Sequence, residues 1–176
     1  AVTTAGVPVR SPEDLAAGGT DFSDKSAVDA LRLATSGVRC MVHLAPPCST
    51  FSRARDRSSW TRLRSATFPG GLPKRTPHTH TANLVARNTL DLAEWLARLG
   101  MAVSLENPEK SYLWLFLDFS DDLSPIDVTF SACMFGASFQ KHTRVRCWNW
   151  SPASLIEQRC SLRDDLFSCG CTQTNN

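Results

Sequence analysis

Two short apolar segments, separated by a long amphipathic segment, constrain the fold of this chain more than any other feature. Residues 39–44 and 101–105 are each apolar enough to form a buried strand. Between them, residues 82–99 carry apolar side chains at helical spacing, and Gly100 follows as a stop signal. The apolar face of this helix comprises Leu84, Val85, Leu92, Trp95, Leu96 and Leu99. A strand, helix and strand in this order predict an α/β domain with a largely parallel sheet.

Weaker patterns complete the predicted domain. Apolar residues recur at helical spacing over residues 26–35, before the stop signal Ser36-Gly37. Short strands are predicted over residues 7–10, 127–133 and 143–150, and a short apolar helix or turn over residues 111–119. We expect one domain over residues 1–150 and a cysteine-containing tail over residues 151–176.

Polar motifs follow both of the main apolar segments. Pro46-Pro47-Cys48-Ser49 comes after the first segment, and Glu106-Asn107-Pro108 comes after the second. In open α/β sheets, ligands bind at the carboxyl ends of the strands. A rigid Pro-Pro turn would hold the Cys48 thiol there, with a carboxylate and an amide from the neighbouring strand. This arrangement suits nucleophilic attack assisted by an acid.

Charge and composition narrow the range of partners. The chain has 176 residues, of which 42% are hydrophobic, so it can bury a core and is not disordered as a whole. Its net charge of +2 neither requires nor excludes nucleic acid. Residues 52–81, however, form a long loop rich in arginine without a sustained period. This loop is either a surface for a phosphate backbone or a solvated polar loop.

Cysteine and histidine usage favours reduced thiols over disulfides or metal. Seven cysteines at irregular spacing indicate an intracellular protein without a disulfide framework. His78 and His80 lack a second ligand pair, so we expect no metal there. A small zinc-bound tail is the weaker alternative, with Cys147, Cys160, Cys169 and Cys171 as its ligands. The longest apolar stretch, residues 112–117, is too short to cross a membrane.

Three motifs in this order resemble those of the DNA cytosine-5 methyltransferases, particularly the divergent branch of phages and eukaryotic retroelements. Residues 46–52 resemble the family's Pro-Cys nucleophile loop, and residues 106–108 resemble its Glu-Asn-Val motif. Phe135-Gly136 followed by Gln140, Arg144 and Arg146 is similar to the later Gln-Arg motif. Asp21 lies where the family places an aspartate near the adenine of S-adenosylmethionine.

The resemblance implies a Rossmann-like, S-adenosylmethionine-dependent methyltransferase that acts on DNA, in the nucleus if the source is a eukaryotic mobile element and otherwise in the cytoplasm. It implies catalytic roles for Cys48, Glu106 and Arg146, and cofactor contacts by Glu13, Asp21 and Pro46. It further implies substrate contacts by Pro47, Ser49, Arg53, Asn107, Gln140 and Arg144. The family's Gly-rich cofactor loop is not found, so we expect a fold that is incomplete at its N-terminus.

The resemblance also implies a covalent mechanism. The Cys48 thiolate would add to cytosine C6, which makes C5 able to accept a methyl group. This requires either a helix N-terminus or local positive charge, which Arg53 or Arg146 could supply, to lower the pKa of the thiol. Glu106, with a raised pKa, would contact cytosine N3, and Asn107 would hold the nucleophile loop. The target cytosine would have to leave the duplex stack or be presented as single strand.

Simpler interpretations of the same residues stay open. Cys48 is also compatible with a buried structural thiol, and Glu106 with a cap of the following turn. Arg144 and Arg146 alternate along a strand, so they share one face and are equally compatible with a coat on the sheet. The alternative function is therefore a catalytically inactive methyltransferase-like module that binds nucleic acid within a mobile-element or viral polyprotein.

Overall fold

A computed structural model describes residues 18–138 and 140–152. Three helices and four strands make up this part of the chain: α1 Lys25–Thr35, β1 Met41–Leu44, α2 His80–Arg98, β2 Ala102–Pro108, α3 Leu113–Phe116, β3 Ile126–Ser131 and β4 His142–Trp148. Each of these elements was expected from the sequence pattern, so the prediction of an α/β domain is confirmed. The predicted strand 7–10, the candidate Glu13 and the tail cysteines lie outside the described residues.

The four strands form one mixed sheet in the order β1-β2-β4-β3. β1 and β2 are parallel, whereas β4 is antiparallel to both of its neighbours. The prediction of a largely parallel sheet is therefore wrong. The reason lies in the connection between β3 and β4, residues 132–141, which is shorter than the dozen or more residues that a parallel crossover needs.

The core lies between helix α2 and one face of the sheet. Of the apolar face expected from its sequence, helix α2 buries Leu92 and Leu96, whereas Leu84, Val85 and Trp95 are half-buried and Leu99, just past the helix, is exposed. Gly100 then has a φ of +78°, the left-handed conformation that ends helices well. The buried helix residues Leu92, Ala93 and Leu96 share one cluster with Val103 and Leu105 of β2. This packing fixes the position of β2, and with it the position of the motif at the end of β2.

The other face of the sheet carries a smaller apolar cluster. Val128, Val145 and Cys147 are buried there, with Phe130 and Trp150 packed against them. Residues 52–79, all within the described part, contain two 3-10 turns, Arg53–Arg57 and Thr76–His78, and no strand. In the described part of the chain, no helix is both long and apolar enough to cross a membrane.

Candidate functional site

The register of the sheet brings the sequence motifs to one edge. Leu44 at the end of β1 pairs with Leu105 of β2, so the chain leaves β1 next to Glu106 and Asn107. β4 starts at the same edge because it is antiparallel, and its Arg144 lies opposite Asn107. The Pro-Cys loop, the Glu-Asn-Pro motif and the Gln-Arg motif are therefore neighbours. The first two were expected at one edge from their positions after strands, whereas the Gln-Arg motif joins them because β4 is antiparallel.

A buried side-chain hydrogen bond joins the first two motifs. Asn107 Nδ2 donates to the Pro46 carbonyl oxygen over 3.0 Å, and Asn107 is fully buried. The contact expected between this amide and the nucleophile loop is therefore present. Asn107 Oδ1 is buried too, and within the described residues it has no hydrogen-bond partner.

The segment that follows Pro46 contains a tight turn that begins at Cys48. The Cys48 carbonyl accepts hydrogen bonds from the amides of Phe51 (3.0 Å) and Ser52 (2.8 Å), which close the turn. The amide of Tyr112 donates to the Phe51 carbonyl over 3.0 Å, so the turn is also tied to the chain ahead of α3. The Cys48 thiol is free and half-buried. A small, partly exposed thiol on a fixed backbone can be approached by a planar ring.

Arg64 anchors this turn from inside the protein. Arg64 is 1% exposed, and its guanidinium donates to Thr50 O, Thr50 Oγ1, Pro69 O and Asn83 Oδ1. It also lies 3.6 Å over the ring of Phe51. Burial lowers the pKa of Arg64 to about 10. The interpretation of Arg64 as part of a phosphate-binding surface is therefore wrong, because its guanidinium is enclosed by the loop.

The other arginines of the loop remain at the surface. Arg55 Nε donates to the Ser49 carbonyl over 2.7 Å, which fixes the residue that follows Cys48. Arg53 lies 4.9 Å over the ring of Tyr112, whose hydroxyl donates to Asp56 Oδ2 over 2.8 Å. Burial, followed by this hydrogen bond, raises the pKa of Tyr112. The first part of the basic loop is thus packed on the chain near α3.

Glu106 lies on the opposite face of β2 from Asn107, as the alternation of a strand requires. Lys141 Nζ contacts its Oε1 over 2.9 Å, and the Glu106 side chain is 18% exposed. In the part of the chain that the structure describes, no hydrogen bond joins Glu106 to Cys48.

Arg144 and Arg146 are engaged within the protein. Both donate to Asp127 of β3, and Arg146 does so through Nε and a terminal nitrogen, each over 2.8 Å. Arg146 also lies 3.9 Å over the ring of Phe119, and Arg144 lies 4.6 Å over Trp114. The two guanidinium groups therefore lie on one face of the sheet between an acid and an aromatic cluster.

The other site residues that the resemblance implies, apart from Glu13, lie in the described part of the chain. Asp21 Oδ1 accepts from the amide and the hydroxyl of Ser23 (2.8 and 2.7 Å), so it stabilises the turn before α1. Gln140 is half-buried and directly precedes Lys141. Ser49 is exposed. Pro47 lines a shallow apolar groove of about 270 Å³, together with Thr50, His78, Thr81, Ala82 and Val85. This groove separates the nucleophile loop from the start of α2.

Neither a metal site nor a known relative identifies this edge. Among residues 18–138 and 140–152, no group of three or more His, Cys, Asp and Glu side chains is placed to hold a metal ion. His43 instead hydrogen-bonds Ser104 over 2.8 Å between the parallel strands. Comparison with protein families, curated proteins and solved structures found no match. The function must therefore be argued from the site itself.

Sequence reasoning missed three residues that organise this edge. Arg64 belongs to the arginine-rich loop 52–81, and only its position against Phe51 and Thr50 in the folded chain distinguishes it from the other arginines of that loop. Lys141 and Asp127 were not singled out, yet they hold Glu106 and the two arginines of β4. The sequence carried one usable signal: Asp127, two residues into β3, lies opposite Arg146 once the two strands are paired as a hairpin.

Proposed function

We propose that this chain carries a DNA cytosine-5 methyltransferase-like domain with a Rossmann-like fold. The observation that supports this most is the hydrogen bond from Asn107 to Pro46 across the carboxyl ends of two parallel strands. It ties the turn that carries the Cys48 thiol to the strand that carries Glu106 and Asn107, at the sheet edge where α/β proteins bind ligands. A thiol, a carboxyl group and an amide are the residue types that addition to a pyrimidine requires.

The chemistry of the proposed reaction starts with Cys48. Its thiolate attacks cytosine C6, a C6–S bond forms, and the electron pair of the C5–C6 double bond moves toward C5 and N3. Glu106 donates or shares a proton at N3 as negative charge develops there. Lys141, which contacts Glu106 Oε1, fixes the orientation of that carboxyl group. After an electrophile has added at C5, a water molecule takes the C5 proton, the C6–S bond breaks to release the Cys48 thiolate, and the N3 proton returns to Glu106.

The methyl donor that the resemblance implies is S-adenosylmethionine. Of the three residues that the resemblance assigns to it, Asp21 and Pro46 lie in the described part of the chain. The Pro46 carbonyl is bonded to Asn107 and Asp21 Oδ1 to Ser23, so a contact of Asp21 with the cofactor would come from Oδ2. The proposed function is supported by the Cys48 turn and its bond to Asn107.

The inactive binding module is a second candidate because of one specific observation. The residues that the resemblance assigns to substrate recognition on β4, Arg144 and Arg146, are both bound to Asp127. In an active enzyme, at least one of these guanidinium groups would have to exchange Asp127 for the base or a phosphate. A chain in which Asp127 keeps both arginines would still bind nucleic acid through its basic loop.

A mechanism-based trap distinguishes the two candidates. DNA containing 5-fluorocytosine is incubated with the chain and S-adenosylmethionine, and the mixture is analysed by denaturing mass spectrometry. Fluorine at C5 cannot leave as a proton, so a methylated adduct stays bonded to Cys48. We expect an adduct with the wild type and with Cys40→Ala, and none with Cys48→Ala. Cys40 is a matched control because it is a free, exposed thiol before the start of β1. Binding of DNA without any adduct would support the inactive module.

A further inference from the structure

Trp60 is the most exposed large hydrophobic side chain of the described residues, at 83%. Single exposed apolar residues are common on protein surfaces and by themselves carry no meaning. Trp60 differs from the others in its surroundings. Leu33, which is 77% exposed, lies on the outer side of α1, whereas Trp60 lies within the arginine-rich segment 53–64.

The backbone under Trp60 is held by several hydrogen bonds. The Trp60 amide donates to Ser58 Oγ over 3.2 Å, and the amides of Thr61 and Arg62 donate to the Ser58 carbonyl over 3.2 and 3.0 Å. Thr61 Oγ1 also donates to the Arg55 carbonyl over 2.8 Å. The indole therefore projects into solvent from an ordered turn, and a ring that stacks on it needs little ordering of the backbone.

The charge around Trp60 favours a polyanion. Segment 53–64 contains five arginines and a single acidic residue, Asp56. Arg53, Arg57 and Arg62 are exposed, and Asp56 is shared between Tyr112 and Arg62. An exposed indole among arginines is the combination with which proteins bind single-stranded nucleic acid, because bases stack on the ring while arginines contact the phosphates.

Two hydrogen bonds connect this turn to the nucleophile loop. Thr61 bonds to the Arg55 carbonyl, and Arg55 Nε bonds to the carbonyl of Ser49, the residue after Cys48. We propose that Trp60 stacks on an unpaired base of single-stranded DNA next to the base that Cys48 receives. The preferred substrate is then single-stranded DNA. Two parts of this proposal, that the strand is DNA and that a target base lies next to the stacked one, rest on the proposed function. The stacking of a base on Trp60 does not depend on it.

The test measures binding of the chain to fluorescein-labelled oligonucleotides by anisotropy, with a single strand and the duplex of the same sequence. We expect the wild type to bind the single strand more tightly. Trp60→Ala should weaken single-strand binding about 5- to 150-fold, the range of one base–aromatic stack, and leave duplex binding unchanged. Trp60→Phe should restore part of the loss. Phe68→Ala is the matched control because Phe68 is also an exposed aromatic of the loop, outside the arginine segment.

Salt dependence separates stacking from charge. Trp60→Ala should keep the wild-type slope of log affinity against log salt, whereas Arg57→Ala should reduce the slope by about 0.7 for one lost phosphate contact.

All measurements are repeated in the Cys48→Ala background, which binds DNA without thiol chemistry. Loss of single-strand preference on Trp60→Ala in that background supports the stacking role even if Cys48 forms no adduct. Equal losses on single strand and duplex, or no loss, would overturn it, as would a wild type that binds both forms equally.

Discussion

Asn107 and Pro46, which are 61 positions apart in the chain, are joined by a buried hydrogen bond of 3.0 Å from the Asn107 amide to the Pro46 carbonyl. The bond spans the ends of β1 and β2 at the point where both strands give way to polar motifs. It couples the position of the Cys48 turn to the strand that carries Glu106. A change at either residue is therefore expected to alter both stability and the reactivity of Cys48.

We expect Asn107→Ala to lower the free energy of unfolding by about 1 to 3 kcal/mol, because the buried Pro46 carbonyl loses its donor. The Cys48 turn loosens, so alkylation of Cys48 should become faster. Asn149→Gly is the matched control: Asn149 Nδ2 donates to the carbonyls of Ala97 and Met101, and glycine tolerates its φ of +59°. Denaturant unfolding and alkylation rates should show a loss of stability in both variants but faster Cys48 alkylation only in Asn107→Ala. An unchanged alkylation rate in Asn107→Ala would argue against the coupling.

Arg64 is expected to be the most important residue of the basic loop for stability. Arg64→Met keeps most of the side-chain volume but leaves the acceptors on Thr50, Pro69 and Asn83 without a donor. We expect a loss of about 3 kcal/mol in the free energy of unfolding, measured in urea. The control Arg62→Met should change it by less than about 0.5 kcal/mol, because Arg62 is exposed and 3.6 Å from Asp56. Equal effects would place Arg64 at the surface.

Asp127 should make stability depend on acid pH. Burial raises its pKa, but the hydrogen bonds from Arg146 and Arg144 outweigh burial and hold the pKa below the ordinary carboxyl range. A carboxylate with a lowered folded-state pKa stabilises the protein above its unfolded-state pKa, and this contribution is lost as pH falls through the folded-state pKa.

Asp127→Asn should therefore lower the free energy of unfolding by about 1 kcal/mol at pH 7. The difference in this free energy from the wild type should shrink below about pH 4. Urea unfolding at pH 7 and pH 3 measures both quantities. Asp91→Asn serves as the control because Asp91 is exposed and 4.0 Å from Lys25. The same deficit at both pH values would show that the Asp127 side chain does not act through its charge.

The free thiols should differ in reactivity according to burial. Burial and the nearby Asp127 raise the pKa of Cys147 to about 11, and Cys147 lies between two paired strands. At pH 8 its thiolate fraction is on the order of one thousandth. Among the four cysteines of the described residues, we expect iodoacetamide to modify Cys40 first, Cys48 more slowly, and Cys133 and Cys147 only after unfolding. Peptide mapping by mass spectrometry gives the order. Early modification of Cys147 would contradict the register of β4.

The helices and the strand positions could be predicted from the sequence because buried faces give a periodic pattern of apolar residues. Helix α2 shows it most clearly, since Leu92 and Leu96 recur one turn apart and face the core. The direction of β4 could not be read from such a pattern, because a strand has the same apolar alternation in either direction. Only the length of the connection between Ser131 and His142 indicates an antiparallel hairpin, and this information was outweighed by the strand–helix–strand order upstream.

The residues of the candidate site that directly follow a strand could be predicted from the sequence. Those whose role depends on contacts between distant parts of the loop could not. Cys48, Glu106 and Asn107 follow from the two apolar segments and their register. Arg62 and Arg64 look alike in the sequence because the loop has no period that separates an inner from an outer side. The enclosure of Arg64 depends on Phe51, Pro69 and Asn83, which only the folded chain brings together.

The most direct test of the proposed nucleophile needs no methyl donor. Addition of Cys48 to C6 makes C5 basic, so C5 takes up a proton from water and, on elimination, releases its original hydrogen. Single-stranded DNA with tritium at cytosine C5 is incubated with the chain, and the tritium in water is counted. We predict release by the wild type and by Cys40→Ala, and only background release by Cys48→Ala. Equal release by Cys48→Ala, or none from a wild type that binds the DNA, would contradict the assignment of Cys48 as the nucleophile.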